Sequence, residues 1–284
     1  MEKHLLSKEK YIQQIFKVNI ERYDRNFLSK IISKRTLELN YTTEKQYYNF
    51  LIENDDEKKI FQDLLNIGYS IFYRNRFTFQ VFEYIILPQL LLNQKINSKK
   101  QIRIWSTACA SGQEPYTLAM ILENFMLSNN CKFNYHIFAT DYCQSHIESA
   151  QNGIYCFQHI KNVPLFQFNK WFKEVDDKYF IVDQIKDQVS FSNFDLLDID
   201  TISPPDSIFG DFDIIMCSNL LYYYNNETRN KIFSKLIACG NNSSYYLTSE
   251  VERDYFFQKN FVEVYSQSAI FQKPNHSNHE TEKY

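Results

Sequence analysis

Glycine is scarce in this chain. It occurs 5 times in 284 residues, about 2% where about 7% is usual. Neither a G-x-G-x-x-G fingerprint nor a Walker loop is present, so those two phosphate-cradling turns are excluded. A collagen-like or glycine-rich linker protein is excluded on the same ground. A strong charge of one sign is also lacking. Lys and Arg number 31 against 34 Asp and Glu, a net charge of −3, so no global attraction to nucleic acid is expected. The six cysteines form no C-x-x-C pair, and no metal site is expected. Several sit in apolar runs, such as Ile215-Met216-Cys217, which suits buried thiols in a reducing compartment. The most apolar stretch, over 77–92, is interrupted by Gln80, Glu83, Pro88 and Gln89, so no membrane insertion is expected. The first ten residues, MEKHLLSKEK, contain no apolar signal core. A cytoplasmic, monomeric protein is the expectation.

Aromatic residues are plentiful. There are 25 Phe and 21 Tyr, and 44% of the chain is hydrophobic, which suffices to bury a core and excludes ordinary disorder. Residues 1–65 have a helical pattern, with Phe27, Leu28, Ile31 and Ile32 on one face. Lys30, Lys34 and Arg35 fall on another face, which suits either solvation or docking of an acidic partner. Asn54 is placed to cap a helix over 55–66, whose first turn holds Asp55, Asp56 and Glu57.

From about residue 100 the pattern changes. Strands are expected over 102–107, 135–140, 189–194, 212–217 and 244–248, with antiparallel candidates over 261–265 and 269–272. Helical patterns separate most of them, notably over 116–127. Alternation of this kind predicts an α/β fold with a mainly parallel sheet. The patterning divides the chain into an N-terminal helical domain over 1–66 and a linker and helix over 67–99. A ligand-binding domain follows over 100–273, with a possible small insertion over 156–188, and then a mobile tail over 274–284.

In an open parallel sheet, ligands bind beyond the carboxyl ends of the strands. The first strand is followed by Ala108-Cys109-Ala110-Ser111-Gly112-Gln113-Glu114-Pro115. Small residues let a ligand approach the backbone. Pro115 suits a first helical turn, and the helix dipole favours a carboxylate at Glu114. The second strand ends in Asp141. This acid suits ribose hydroxyls as well as it suits a helix cap. A small-residue turn after strand one, with an acid ending strand two, fits an adenosine-containing ligand. Asp195 ends the third strand, and Ser218-Asn219 follow the fourth.

At these residues the sequence resembles a known family, the CheR-type chemotaxis receptor methyltransferases. The segment 68–74, ending Phe72-Tyr73-Arg74, resembles their T-x-F-F-R element. The segment 104–120 resembles W-S-A-G-C-S-T-G-E-E-P-Y-S-L-A-M. Ala139-Thr140-Asp141 matches A-T-D, and 150–155 matches A-x-x-G-x-Y. The segments 189–196 and 212–224 resemble V-x-F-x-x-x-N-L and F-D-x-I-x-C-R-N-V-x-I-Y-F, and Ser249-Glu250 matches a late S-E. The resemblance runs from about residue 66 to 250.

It implies a seven-stranded Rossmann-like methyltransferase domain behind a small helical domain. The implied cofactor is S-adenosylmethionine, and the implied substrates are glutamate side chains on chemoreceptor cytoplasmic helices. By position, Glu114 contacts the methionine part, Asp141 the ribose, and Asp195 and Leu196 the adenine side. Ser218 and Asn219 lie beside the cofactor, Ser70 and Arg74 close over it, and Tyr223 faces the methyl group. Arg74 and Tyr223 are the implied catalytic residues.

Departures from the pattern are specific. Ala108 stands for glycine, Gln113 for the first glutamate, Asp195 for asparagine, Ser218 for arginine, and Asn241 for a second glycine. They leave open a changed acceptor or a catalytically silent docking protein. No glycine-rich loop marks 156–188 as a receptor-tail binder.

Overall fold

A computed structural model describes residues 20–66, 68–97, 101–207 and 210–274. The helical expectation for residues 1–19 and the tail beyond 274 lie outside the described residues. The chain divides into two compact units. One is Met1–Ile67 with Leu220–Phe233, and the other is Gly68–Asn219 with Ser234–Tyr284.

Among the described residues, the first unit holds the helices α1 (Arg25–Glu38), α2 (Glu44–Glu53) and α3 (Asp55–Leu65). Each begins at a side-chain cap. Asp24 accepts from Asn26 and Phe27, Thr43 forms a capping box with Gln46, and Asn54 accepts from the Glu57 N–H. Leu28, Ile31, Ile32, Tyr47, Leu51, Phe61 and Leu65 form its core. Arg35 binds Glu57 across this core. Its Nε donates to Glu57 Oε1 at 2.8 Å, Tyr47 donates to the same oxygen at 3.0 Å, and Nη1 reaches Glu38. Arg35 is therefore spent on holding α1 to α3 and cannot serve a docking face. Lys30 and Lys34 remain exposed. The segment 220–233 joins this unit through local pairing. The Asp24 N–H donates to the Tyr223 carbonyl at 2.8 Å, Tyr23 stacks on Tyr224, and Phe27 meets Tyr223 edge-on at 4.8 Å.

The second unit begins with a helical stretch, α4 (Arg76–Val81), a π-helical turn (Phe82–Ile86) and α5 (Leu87–Asn97). Pro88 lacks the N–H that would bond back one turn, so the wider turn falls just before it. A seven-stranded sheet follows, in the order β6-β2-β1-β7-β8-β10-β9. Its strands are β1 (Ile102–Thr107), β2 (Tyr135–Asp141), β6 (Val189–Asn193), β7 (Phe212–Met216), β8 (Gly240–Leu247), β9 (Val262–Glu263) and β10 (Ile270–Gln272). The pairs β6-β2-β1-β7-β8 are parallel, and β10 runs antiparallel to both β8 and β9.

The central strands are buried along most of their length because helices cover them. Chief among these helices are α6 (Gln113–Ser128) and α7 (Gln144–Asn152). The chain leaves β1 toward β2 and β6 on one side, and fills β7 and β8 on the other. That reversal creates a crevice at the carboxyl ends of β1 and β7.

Within 153–188 a small three-stranded antiparallel sheet forms from β3 (Ile154–Tyr155), β4 (Phe172–Val175) and β5 (Lys178–Ile181). The sequence pattern showed only the last of these. Asp176 and Asp177 turn the hairpin with φ of 49° and 57°. Both are left-handed, as a two-residue hairpin loop requires.

Candidate cofactor site

The turn between β1 and α6 sets the site. Ala108, Ala110 and Gly112 have φ of 49°, 49° and 88°, all in the left-handed region that glycine enters without cost. Ala108, the departure from the family pattern, therefore occupies a backbone position that disfavours its own side chain. The strain is about 1–2 kcal/mol for an L-residue held there. At Gly112 no alanine fits, because a Cβ would lie 2.9 Å from the Ala150 Cβ.

Asp141 ends β2 and pins this turn. Its Oδ2 accepts the Ala110 N–H at 2.9 Å, while its Oδ1 accepts the Cys143 N–H at 2.9 Å and meets His146 Nδ1 at 3.1 Å. Three of about four acceptor positions on a carboxylate are thus used, leaving room for one hydroxyl donor. The His146 ring in turn packs on Gly68, where a Cβ would fall 2.2 Å from Nε2. This contact seats the start of the 68–74 segment beside Asp141.

Glu114 lies in the first turn of α6, half-buried. Ser106 donates to its Oε1 at 2.9 Å, and among the described residues no basic group lies within ion-pair distance. Burial pushes its carboxyl up to about 8, and the nearby Glu252 charge adds to this. Ser106 and the positive charge of Arg74 work the other way. The helix dipole alone favours a carboxylate here, and burial outweighs it. Next to Glu114, Gln113 is buried, and its side-chain oxygen has no donor among the described residues. Burial also raises Cys109 and Cys217, with the Glu114 charge contributing, which keeps both as inert thiols.

The remaining predicted residues of this unit lie at the same edge. The Asp195 Oδ1 accepts the Leu197 N–H at 2.8 Å, fixing the loop that carries Leu196 after β6. After β7, Ser218 Oγ donates to Asn219 Oδ1 at 3.3 Å. Asn219 has φ 57°, and its N–H donates to Glu252 Oε2 at 2.9 Å. In the 68–74 segment, the Tyr73 N–H donates to Thr117 Oγ1 on α6 at 3.4 Å. Arg74 is exposed, and its Nη1 donates to the Tyr69 carbonyl at 3.1 Å. Ser70 is half-buried on the same segment. Tyr223 belongs to the helical unit, where its hydroxyl pairs with that of Tyr222.

Glu252 was missed by sequence reasoning, which matched the neighbouring Glu250. The structure exposes Glu250 and buries Glu252. A signal was present, since Ser249 and Glu252 have capping-box spacing and form one.

A half-buried carboxylate without a basic partner suits a cationic group. Asp141 suits a hydroxyl donor, and Gln113 offers a further acceptor. With the strained turn at the switch point of a parallel sheet, these features define a Rossmann-like domain built to hold a ligand with a cationic group and a hydroxyl. The family described as "CheR methyltransferase, SAM binding domain" matches residues 69–258. The chain belongs to this family, and its cofactor is S-adenosylmethionine. Among its relatives, the "Chemotaxis protein methyltransferase" of Borreliella burgdorferi is 28% identical over 246 residues, 86% of this chain and 85% of that one. The protein of the same name from Listeria monocytogenes is 30% identical over 211 residues, 74% of this chain and 73% of that one. Among the described residues no helix is long and apolar enough to cross a membrane, and no three metal-binding side chains cluster.

Proposed function

We propose that this protein transfers methyl groups from S-adenosylmethionine to glutamate side chains on the cytoplasmic helices of chemoreceptor-like proteins, giving glutamyl methyl esters. The gathering of Glu114, Asp141, Asn219 and the 68–74 segment at one sheet edge carries this reading. It is supported by the match to relatives named chemotaxis protein methyltransferase along most of their length.

In the proposed reaction, attack of a carboxylate oxygen on the sulfonium methyl forms a C–O bond as the C–S bond breaks, its electron pair staying on sulfur. No proton has to move, because a glutamate with a reference pKa of about 4.3 is already ionised at neutral pH. The protein's task is therefore alignment. Glu114 is assigned the cofactor's ammonium group, Asp141 a ribose hydroxyl, and Asp195 with Leu196 the adenine side. Asn219 and Ser218 are assigned places beside the cofactor. Ser70 and Arg74 are proposed to cover it, and the exposed guanidinium has free donors with which to steer an acceptor carboxylate. The proposed orienting role of Tyr223 rests on the motif.

Ser218 supports a second reading, since it stands where the family motif has arginine. The acceptor is then a different one, or the protein docks on receptors without catalysis. Incubation with labelled S-adenosylmethionine and receptor-containing membranes separates these readings. Base-labile label on the receptor is the expected result. Base-stable label indicates another acceptor, and absence of label with intact cofactor binding indicates a silent protein.

A further inference from the structure

Glu252 is 2% exposed, and burying a carboxylate is costly unless donors surround it. Four donors converge on its Oε2. They are Asn219 N–H at 2.9 Å, Thr248 Oγ1 at 2.8 Å, Ser249 N–H at 3.3 Å and Ser249 Oγ at 2.6 Å. The two bonds from Ser249 cap the short helical turn Glu250–Glu252. Capping explains those two bonds and leaves the other two to be accounted for. The Thr248 bond ties the carboxylate to the segment that continues β8, and the Asn219 bond reaches across to the end of β7. Asn219 is left-handed, with φ 57°, a conformation that asparagine tolerates but must be held in. Its N–H is held by the Glu252 carboxyl group, beside the weaker Ser218 contact to its side chain.

We propose that Glu252 is a positioning residue for the cofactor, acting through the backbone of Asn219. One carboxylate oxygen fixes the turn after β7 and so sets where the Asn219 side chain stands. This rests on the proposed placement of Asn219 beside the cofactor.

A double-mutant cycle tests it. The dissociation constant of S-adenosylhomocysteine is measured by calorimetry for the parent, Asn219→Ala, Glu252→Gln and the double variant, with thermal melting of each. Loss of one hydrogen bond to a charged group weakens binding by about tenfold or more. About tenfold weaker binding is therefore expected in each single variant, and the same tenfold, not about a hundredfold, in the double. A general loosening of the domain would instead add to the Asn219 loss, so additive losses overturn the proposal. Parent-like binding by Glu252→Gln, with Asn219→Ala weakened, also overturns it while leaving the site assignment standing. Parent-like binding by Asn219→Ala removes the placement of Asn219 and the proposal with it. If Glu252→Gln does not fold, Glu252→Asp keeps the charge and withdraws the oxygen from Asn219, and the same non-additivity is expected.

Discussion

Two glutamates of this chain have opposite surroundings. Glu57, in the helical unit, is 3% exposed and meets the Arg35 guanidinium through two nitrogens, with Tyr47 donating from the other side. Glu114, at the mouth of α6, receives one hydroxyl bond from Ser106 and has no basic partner within ion-pair distance among the described residues. The hydrogen bond from Arg35 to Glu57 holds the guanidinium above its ordinary value, and the Tyr47 hydroxyl is pushed far up by burial and the same carboxyl group. Around Glu114 burial is the strongest influence and Glu252 adds to it, against the Ser106 hydrogen bond and the more distant charge of Arg74. The first glutamate is a satisfied structural tie. The second is held in a state that a cationic ligand would relieve, which supports its proposed place at the cofactor's ammonium group.

Separating the two by mutation sharpens this contrast. The largest effect is expected at Glu57→Gln. Removing one member of a buried pair strands the other, at about 3–5 kcal/mol, and chemical denaturation should show the loss with cofactor affinity of the folded protein unchanged. Next comes Asp141→Ala. It deletes the proposed ribose acceptor and unpins the Ala110 N–H, so S-adenosylhomocysteine binding should weaken by about 2–3 kcal/mol, roughly 30- to 150-fold. Equal affinity in calorimetry would remove Asp141 from the site. The smallest effect is expected at Ala108→Gly, where glycine relieves a left-handed alanine. A gain of up to about 1 kcal/mol in stability is expected, read as a higher melting temperature. A loss would show that the alanine methyl makes a compensating contact.

Much of this arrangement was legible in the sequence. The parallel strands announced themselves as short apolar runs between helical patterns, and β1 was delimited to the residue at both ends. Asn54 was recognisable as a cap because its side chain and the acidic turn after it are local features. What escaped depends on partners distant in sequence. Arg35 reads as part of a basic face until Glu57 folds across to it. The joining of 220–233 to the helical unit rests on pairing with Tyr23 and Asp24, about two hundred residues earlier. The Asp176-Asp177 hairpin lacks the glycine that usually signals such a turn. Ala108 was visible as a departure, but only its φ explains why glycine is the family's choice. The motif match ends at Ser249-Glu250, and nothing in it shows that Glu252, two residues on, turns inward.

The contrast between the two glutamates is tested most directly by proton release on cofactor binding. With its carboxyl pushed up to about 8, Glu114 is mostly protonated at pH 7. A cationic ligand favours the ionised form, so binding should expel its proton and affinity should rise between about pH 6 and 8. Calorimetric titration of S-adenosylmethionine at pH 7, in buffers of different ionisation heat, measures that proton. The expected result is release of a substantial fraction of one proton by the parent and much less by Glu114→Gln. Equal proton release by the two proteins would contradict the assignment of Glu114 to the cation.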